Sequence, residues 1–270
     1  MVIDTHVHLE SARGYLDELM ETVFRLGIDR IVLFTAWPES DKWATNDEVM
    51  EAHLKYPDRI VPFYNFRMGE EDPGIVERVK HDGFRGLKLI GPPANYNDDL
   101  FFPIWECCEH LGMITYFHTG IISREPEQVH QDIDSSRMKV IYLDRTARKF
   151  QKLTMFVAHL GNPDYGEACM MCRWHSNMYF DLSGSTLKKK KKDFFREMFR
   201  WGTEENRYVD EFGRGPYEKI LYGTDVTPSE MPDVLADYRG LFDALDLTET
   251  QRSAVMGNTA AGLLGIEEIV

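Results

Sequence analysis

Two histidines near the N-terminus, His6 and His8, lie two residues apart in the apolar run VIDTHVHL (residues 2–9). Side chains alternate between the two faces of a strand, so both imidazoles would point one way while Val7 points the other way. The two rings would stand about 7 Å apart along the strand. A face that presents two imidazoles is either in contact with solvent or bound to something, and imidazole is a common metal ligand.

Four further polar residues lie in other apolar runs of the chain: Lys88, His118, His159 and Asp225. All four histidines found in predicted strands lie toward the carboxyl ends of those strands, a placement that chance does not favour. The other histidines fall in predicted helices or loops. These are His53, His81, His110, His130 and His175.

The chemistry that these residue types could perform is metal binding. Three neutral imidazoles and one carboxylate around a common point suit Zn²⁺ or another first-row divalent ion such as Mn²⁺. An open coordination position would hold a water whose pKa the ion lowers towards 7, which supplies hydroxide at neutral pH. A lone histidine in a strand is more often a hydrogen-bonded core residue, so the prediction depends on elements that bring these side chains together.

The elements that could do so are eight short β-rich runs, each followed by a helix-like or loop segment. Most are continuously apolar, as expected for parallel strands covered on both faces. Helix signals occupy 14–27, which ends at Gly27, and also 97–112 and 231–247. Eight such repeats predict a single-domain (β/α)8 TIM barrel over residues 1–270, with an open doubly wound sheet as the alternative. The predicted strands are residues 2–9, 29–36, 59–66, 84–91, 113–120, 153–161, 178–184 and 219–225.

Closure of such a barrel would gather the candidate ligands at one mouth. The last strand pairs with the first, so Asp225 should stand beside His6 and His8. An eight-stranded barrel is just wide enough for side chains to meet across it, so His118 can reach the same point from the far wall. Active sites of these barrels lie at the carboxyl ends of the strands.

The composition limits the classes of partner and location. The chain has 270 residues, is 43% hydrophobic, and carries 31 basic against 45 acidic residues, which gives a net charge of −14. This charge offers no electrostatic reason to bind nucleic acid or an anionic membrane. No apolar run is long enough to span a bilayer, no signal peptide is recognised, and the four cysteines suggest reduced thiols in the cytoplasm.

Four motifs in order along the whole chain carry a specific resemblance: DTHVHLE, YFHTG, VAHLGNP and LYGTDV. Together they resemble the amidohydrolase superfamily, and most closely its amidohydrolase-related group of hydrolases, lactonases and non-oxidative decarboxylases. The C-terminal segment GNTAAGLLGI resembles the last helix of that group, although Gly262 stands where the group usually has arginine.

The resemblance implies a role for each matching residue. His6, His8, His118 and Asp225 would bind a single metal ion, while His159 would stand beside it as a proton donor or substrate orienter, or would help to bind a second metal. Asp225 would also move a proton between the water and the leaving group, since it touches both.

Three residues are candidates for substrate binding. Lys88 would pair with an acid group of the substrate or with a carboxylate of the protein; the alternative is a carboxylated lysine that bridges two ions, as in two-metal members of the superfamily. Arg124 could clamp a carboxylate, since its fork matches two oxygens, and a surface ion pair is the alternative. Trp37 could wall the substrate or simply cap the barrel mouth.

Two other patterns are not interpreted as sites. Cys169, Cys172 and His175 have helical spacing, but a single Cys-x-x-Cys pair is a weak zinc signal and buried helix thiols are favoured. The lysine run at 188–192 is typical of a solvated stretch, with attraction of an anionic substrate as the alternative. No second metal ion is expected.

Three functions fit these residues. The favoured one is a metal-dependent hydrolase of an amide, a lactone or a related C–N or C–O bond. The alternative is a non-oxidative decarboxylase of an unsaturated or aromatic acid on the same metal, and a non-catalytic binding barrel is the third. The expected partner is a small molecule that could bear a carboxylate, and a homodimer is compatible with the sequence.

Overall fold

Eight parallel strands lie side by side in one sheet, in the order in which they occur in the chain. The computed structural model describes residues 1–37, 40–122, 132–202 and 209–266. The strands are β1 (Ile3–His8), β2 (Arg30–Phe34), β3 (Ile60–Asn65), β4 (Gly86–Leu89), β5 (Ile114–Phe117), β6 (Met155–Val157), β7 (Met178–Asp181) and β8 (Ile220–Leu221).

Helices alternate with these strands and surround the sheet. The helices are α1 (Tyr15–Leu26), α2 (Asn46–Lys55), α3 (Ile75–His81), α4 (Phe102–Leu111), α5 (Leu143–Lys149), α6 (Tyr165–Trp174), α7 (Ser185–Lys189), α8 (Lys192–Met198), α9 (Met231–Ala244), α10 (Glu249–Ser253) and α11 (Thr259–Leu264).

Two backbone hydrogen bonds join the last part of the sheet to the first strand. The Thr5 amide donates to the Tyr222 carbonyl over 2.9 Å, and the Asp225 amide donates to the His6 carbonyl over 2.8 Å. The predicted (β/α)8 barrel is therefore confirmed, and the doubly wound alternative is wrong. The strands are shorter than predicted, because the predicted runs include turn residues that precede or follow the strands.

Both faces of the strands are buried, which explains their continuous apolar runs. Along β2, Ile31 and Leu33 belong to a large cluster with the surrounding helices, while Val32 and Phe34 belong to a second cluster inside the barrel. The alternation of side chains thus sends successive residues to two different apolar layers.

Local signals set the helix boundaries. Helix α1 ends where Gly27 adopts a left-handed φ of 67° and its amide donates to the Phe24 carbonyl, as the sequence predicts. Helix α2 begins with a capping box, in which the Thr45 hydroxyl accepts from the Glu48 amide and the Glu48 carboxylate accepts from the Thr45 amide. Such caps satisfy amides that the first turn leaves unpaired.

Helix α11 closes the end of the barrel where the strands begin. Its Ala260, Ala261 and Leu264 pack in the same apolar cluster as Ile3 of β1. Arg85, which precedes β4, donates to the Leu264 carbonyl over 2.7 Å. Among the described residues, this helix closes the end where the strands begin, and the barrel opens toward the carboxyl ends of its strands.

In the part of the chain that the structure describes, no helix combines the length and the apolar character that crossing a membrane requires.

Candidate active site

A bulge in β1 sets the direction of its two histidines. The pairing of β1 with β2 shifts register between Asp4 and Val7, and such bulges often re-aim side chains beside active sites. The ring centroids of His6 and His8 are 5.2 Å apart, closer than the spacing of about 7 Å in a regular strand. Both rings face the barrel mouth region, as the sequence predicts, but the bulge brings them nearer to each other than alternation alone would.

The other ligating candidates lie just beyond the strands. His118 follows β5 directly, His159 lies in a 3₁₀ turn (Ala158–Gly161) after β6, and Asp225 lies four residues beyond β8. His159 and Asp225 have left-handed φ values of 63° and 51°. Non-glycine residues seldom adopt this conformation, and such strain tends to cluster at functional sites.

The main chain of His159 is held from both sides. Its amide donates to Asp181 Oδ1 over 3.0 Å, and its carbonyl accepts from the Thr186 hydroxyl over 2.7 Å. Gly184 leaves little room beyond the ring, because a Cβ there would lie 3.1 Å from His159 Nδ1. These contacts stabilise the strained turn that aims the imidazole inward.

Asp225 is at the centre of the histidine cluster. Its Oδ1 lies 3.3 Å from His8 Nε2 and 3.5 Å from His6 Nε2, while its Oδ2 lies 3.8 Å from His159 Nδ1. His118 Nδ1 lies 3.3 Å from His159 Nε2. The structure therefore brings all five of these residues together.

The tightest group differs from the ligand set that the family resemblance implies. His6, His159 and Asp225 each offer a ligand atom, and these atoms lie within 4.8 Å of one another. His8 contacts the same carboxylate, whereas His118 is next to His159. The assignment of His6, His8, His118 and Asp225 as the ligands therefore stays a prediction, with His159 a further candidate.

The unpaired atoms of the cluster fit a divalent ion. His118 Nε2 and His8 Nδ1 are buried, and neither has a hydrogen-bond partner within the described residues. His6 Nδ1 lies 3.0 Å from Asp181 Oδ2, which leaves its Nε2 directed at Asp225 and Lys88. Imidazole nitrogens and one carboxylate are the donor set that Zn²⁺ and similar ions prefer.

Burial keeps the imidazoles of His6, His8 and His118 in the neutral form that binds metals. Burial, and then the charge of Lys88, lowers the pKa of His6 to about 4. Burial also lowers the pKa values of His8 and His118. For Asp225, burial acts to raise the pKa, but His6, His8 and the other neighbouring imidazoles outweigh it and hold that pKa well below its ordinary value.

Lys88 is a buried cation within the same cluster. Its Nζ lies 3.2 Å from His6 Nε2, and 4.5 Å and 4.4 Å from the ring centroids of Phe34 and Tyr116. Burial lowers its pKa to about 8. Between two aromatic faces and next to the candidate metal ligands, this ammonium can attract an anionic group of a bound molecule.

Sequence reasoning gave too little weight to Asp181. This buried carboxylate accepts from the Tyr116 hydroxyl and contacts His6 Nδ1. Burial acts to raise its pKa, but His6 and the nearby hydrogen bonds hold it far below the ordinary value. Its signal in the sequence is the Asp-x-Ser pattern that it forms with Ser183 at the end of the predicted seventh strand, which suggests that both residues line the pocket but specifies no reaction.

Asp4 is a second buried carboxylate with a structural role. It accepts from the His6 amide over 3.1 Å, and from the amide and hydroxyl of Thr224 over 3.0 Å and 2.7 Å. Burial raises its pKa to about 7. Its hydrogen bonds tie β1 to the segment after β8 and thereby position Asp225 beside His6.

The other residues considered in the sequence lie outside this cluster or outside the described part of the chain. Trp37 is buried and packs so closely over Gly91 that a Cβ there would lie 2.5 Å from the indole, which suits a capping role at the mouth. Arg124 lies outside the described residues. Cys169 and Cys172 are buried in α6.

The family model described as Amidohydrolase matches residues 3–266. The chain belongs to the amidohydrolase family. The search of curated proteins found no match to it.

Solved structures with the same barrel include enzymes of different reaction types. An uncharacterised TIM-barrel protein from Bordetella bronchiseptica is 17% identical, with 98% of each chain covered and a TM-score of 0.73. The 5-carboxyvanillate decarboxylase LigW from Sphingomonas paucimobilis is 15% identical, with 98% of this chain and 99% of that chain covered and a TM-score of 0.66. A probable 2-pyrone-4,6-dicarboxylic acid hydrolase from Acinetobacter baumannii is 14% identical, with 98% and 99% covered and a TM-score of 0.64. At these identities the similarity shows the fold, and the family match shows an enzyme family.

Proposed function

We propose that this amidohydrolase-family chain is a metal-dependent hydrolase that cleaves an amide, a lactone or a related C–N or C–O bond of a small molecule. The observation that carries the proposal is the position of Asp225. Its carboxylate lies within 4 Å of the imidazoles of His6, His8 and His159 at the open end of the barrel. A carboxylate in this position can contact both a reacting water and the leaving group.

The ion expected in this site is one Zn²⁺, with Mn²⁺ or another first-row divalent ion as the alternative, held by His6, His8, His118 and Asp225. When bound, such an ion makes a water nucleophilic at neutral pH and polarises a carbonyl oxygen. Asp225 accepts the proton of the attacking water and returns it to the leaving oxygen or nitrogen. His159 orients the substrate at this point, and Asp225 carries the proton.

Lys88 adds a preference for substrates that carry an acid group. A buried ammonium with two aromatic neighbours and no carboxylate at ion-pair distance among the described residues has unused capacity for an anion. We therefore propose a carboxylate-bearing substrate whose acid oxygen meets Lys88 Nζ. Arg124 stays a predicted clamp for the same group, and Trp37 a predicted part of the wall.

The same observation favours a second candidate, non-oxidative decarboxylation of an unsaturated or aromatic acid. Phe34 and Tyr116 flank Lys88, so an aromatic acid would find an apolar wall and a cation together. In this reaction His159 or Asp225 would donate a proton to carbon as carbon dioxide leaves. One decarboxylase and one probable hydrolase among the structures compared above have the same fold, so the fold does not decide between the two reactions.

Product analysis separates the two reactions. The purified chain would be assayed with a panel of lactones, amides and aromatic acids, each bearing a carboxylate, for release of acid and of carbon dioxide. We expect acid release without carbon dioxide, loss of turnover after chelation, and recovery on addition of Zn²⁺ or Mn²⁺. Carbon dioxide release without hydrolysis would establish the decarboxylase instead.

The metal content provides the second part of this test. We expect about one divalent ion per chain in protein as purified. A chain that holds no divalent ion, and gains no turnover on any panel member when ions are added, contradicts the proposal. Binding of a panel member that is unchanged in His6→Ala and Asp225→Ala, again without turnover, would identify a non-catalytic binding barrel.

A further inference from the structure

Ser183 occupies the space between one carboxylate and one imidazole of the site. Its Oγ lies 2.5 Å from Asp181 Oδ1 and 2.9 Å from His159 Nδ1, and the residue is fully buried. A third contact, to His6 Nδ1, is longer at 3.3 Å. The hydroxyl has a single proton, so these contacts restrict where that proton and the imidazole protons can be.

The carboxylate decides the direction of the first hydrogen bond. Asp181 Oδ1 also accepts from the amides of Ser183 and His159, over 2.8 Å and 3.0 Å. An ionised carboxylate can only accept, so the Ser183 hydroxyl donates to Asp181. Its oxygen is then an acceptor toward His159, and the ring nitrogen Nδ1 of His159 must carry the proton.

The same order of hydrogen-bond donors and acceptors continues from His159 to the ring of His118. With its proton on Nδ1, a neutral His159 has a lone pair on Nε2, which lies 3.3 Å from His118 Nδ1. His118 Nδ1 therefore donates to it, and His118 Nε2 is left with a lone pair. That nitrogen is buried and has no partner in the part of the chain that the structure describes.

We propose that Ser183 is a positioning residue that fixes the tautomers of His159 and His118, so that His118 Nε2 is presented as a lone pair to a divalent ion. Without the hydroxyl, the carboxylate that faces His159 Nδ1 is Asp225 Oδ2, which lies 3.8 Å away, beyond hydrogen-bond distance, and therefore holds the proton on Nδ1 less firmly. The pair can then reverse, with His159 Nε2 donating to His118 Nδ1 and the His118 proton moving to Nε2, where it blocks coordination. Outer hydrogen-bond partners of metal-binding histidines commonly act in this way.

The direct test is the position of the imidazole protons. ¹⁵N NMR of histidine-labelled full-length protein, treated with chelator, distinguishes a protonated Nδ1 from a protonated Nε2. His118→Gln and His159→Gln variants would assign the two rings. We expect Nδ1 protonation of both rings in the native chain, and a shift of both toward Nε2 protonation in Ser183→Ala. Nε2 protonation of His159 in the native chain, or spectra unchanged by Ser183→Ala, would overturn the proposal.

Zinc affinity gives an independent readout. In competition with a chelating dye, Ser183→Ala should bind Zn²⁺ about 10- to 100-fold more weakly than the native chain. Ser183→Thr, which restores a hydroxyl, should recover the affinity if the variant folds as judged by circular dichroism. Native zinc affinity in a folded Ser183→Ala protein would also overturn the proposal.

Two matched variants separate this role from a general loss of packing. Thr115→Val removes a buried hydroxyl that donates to the Thr154 carbonyl at the opposite end of β5 from His118, and should leave zinc affinity unchanged. Thr186→Val loosens His159 through its main chain and should leave both tautomers unchanged. If Thr186→Val shifts the tautomers as Ser183→Ala does, the effect is structural and the proposal fails.

The inference rests on the proposed function only in its reference to a metal ion. The NMR and zinc measurements need no substrate, so a failed substrate panel would leave them intact. Conversely, hydrolysis that persists in a Ser183→Ala protein with native tautomers would overturn the role of Ser183 alone.

Discussion

The two ends of the barrel are made of opposite kinds of residue. Where the strands begin, helix α11 packs Ala260, Ala261 and Leu264 against apolar strand residues. Where the strands end, Lys88 and Asp181 are buried among imidazoles. Burying hydrocarbon stabilises a fold, whereas burying charges costs free energy unless partners satisfy them.

The backbone shows the same contrast. Glycines take left-handed φ values at both ends, such as Gly27 and Gly112 where the strands begin and Gly120 and Gly184 where they end. Of the four non-glycine residues that adopt them in the described part of the chain, however, three lie where the strands end, namely His159, Leu160 and Asp225. A non-glycine residue in this conformation costs about 1–2 kcal/mol. The apolar end therefore stabilises the fold, whereas the polar end lowers the stability in order to hold reactive groups in place.

The largest expected effect is on activity at the polar end. Asp225→Asn keeps the shape of the side chain but removes the carboxylate that moves the proton and contacts three imidazoles. We expect the kcat/KM of whichever panel substrate is turned over to fall by about 10³-fold or more. The matched control is Asp246→Asn, since Asp246 also has a left-handed φ, of 53°, but is exposed. Equal losses in both variants would contradict a specific role for Asp225.

At the apolar end, the largest expected effect is on stability. Leu264→Ala removes a fully buried side chain from the cluster that seals the barrel. We expect the free energy of unfolding to fall by about 2–5 kcal/mol in urea titrations. The kcat of the folded protein should change less than threefold. Leu54, which is 71% exposed, provides the control, since Leu54→Ala should stay within about 0.5 kcal/mol of native. A large loss of kcat in Leu264→Ala would show that the two ends are coupled.

The sequence predicts the apolar part of this contrast well. Residues such as Ile31 and Val32 alternate between two apolar layers, so the strands read as continuous apolar runs whose number and order give the barrel. Strand ends are predicted less well: β8 has two residues where the sequence suggests seven. The polar turn that carries Asp225 directly follows β8, and no change in residue type marks the boundary between the two.

The polar end is predicted by residue type but not by geometry. Strand alternation indicates that His6 and His8 share a face, yet the bulge that brings them to 5.2 Å needs the paired strand to be seen. The placement of His159 beside Asp225 depends on a strained turn held by Asp181 and Thr186. Such long-range hydrogen bonds between residues far apart in the chain leave no periodic pattern.

A smaller effect should follow from removing the buried charge at Lys88. Lys88→Met nearly keeps the length of the side chain but removes its charge. In chelator-treated protein at pH 7 it should raise the free energy of unfolding by about 1–3 kcal/mol. It should also weaken the binding of acid-bearing substrates. The folded pKa of about 8 lies below the ordinary 10.5, so between these values the unfolded chain binds more protons. Native stability should therefore rise from pH 8 to 10.5 because of this group, and this contribution should be missing in Lys88→Met. If the free energy of unfolding rises equally with pH in both proteins, burial of the Lys88 ammonium does not destabilise the folded chain.

The smallest effect tests whether backbone strain matters where no chemistry is done. Asp246, in the turn after α9, has a left-handed φ of 53° and an exposed side chain, so Asp246→Gly should relieve the conformation at no cost in packing. We expect the free energy of unfolding, measured in urea titrations, to rise by about 0.5 kcal/mol. The relief of backbone strain should exceed only slightly the free-energy cost of the greater freedom of glycine in the unfolded chain. Asp225→Gly relieves a similar φ but should abolish turnover, since it also removes the carboxylate. If Asp246→Gly is less stable than the native chain, left-handed aspartates carry little strain here. The contrast between the two ends would then rest on buried charge alone.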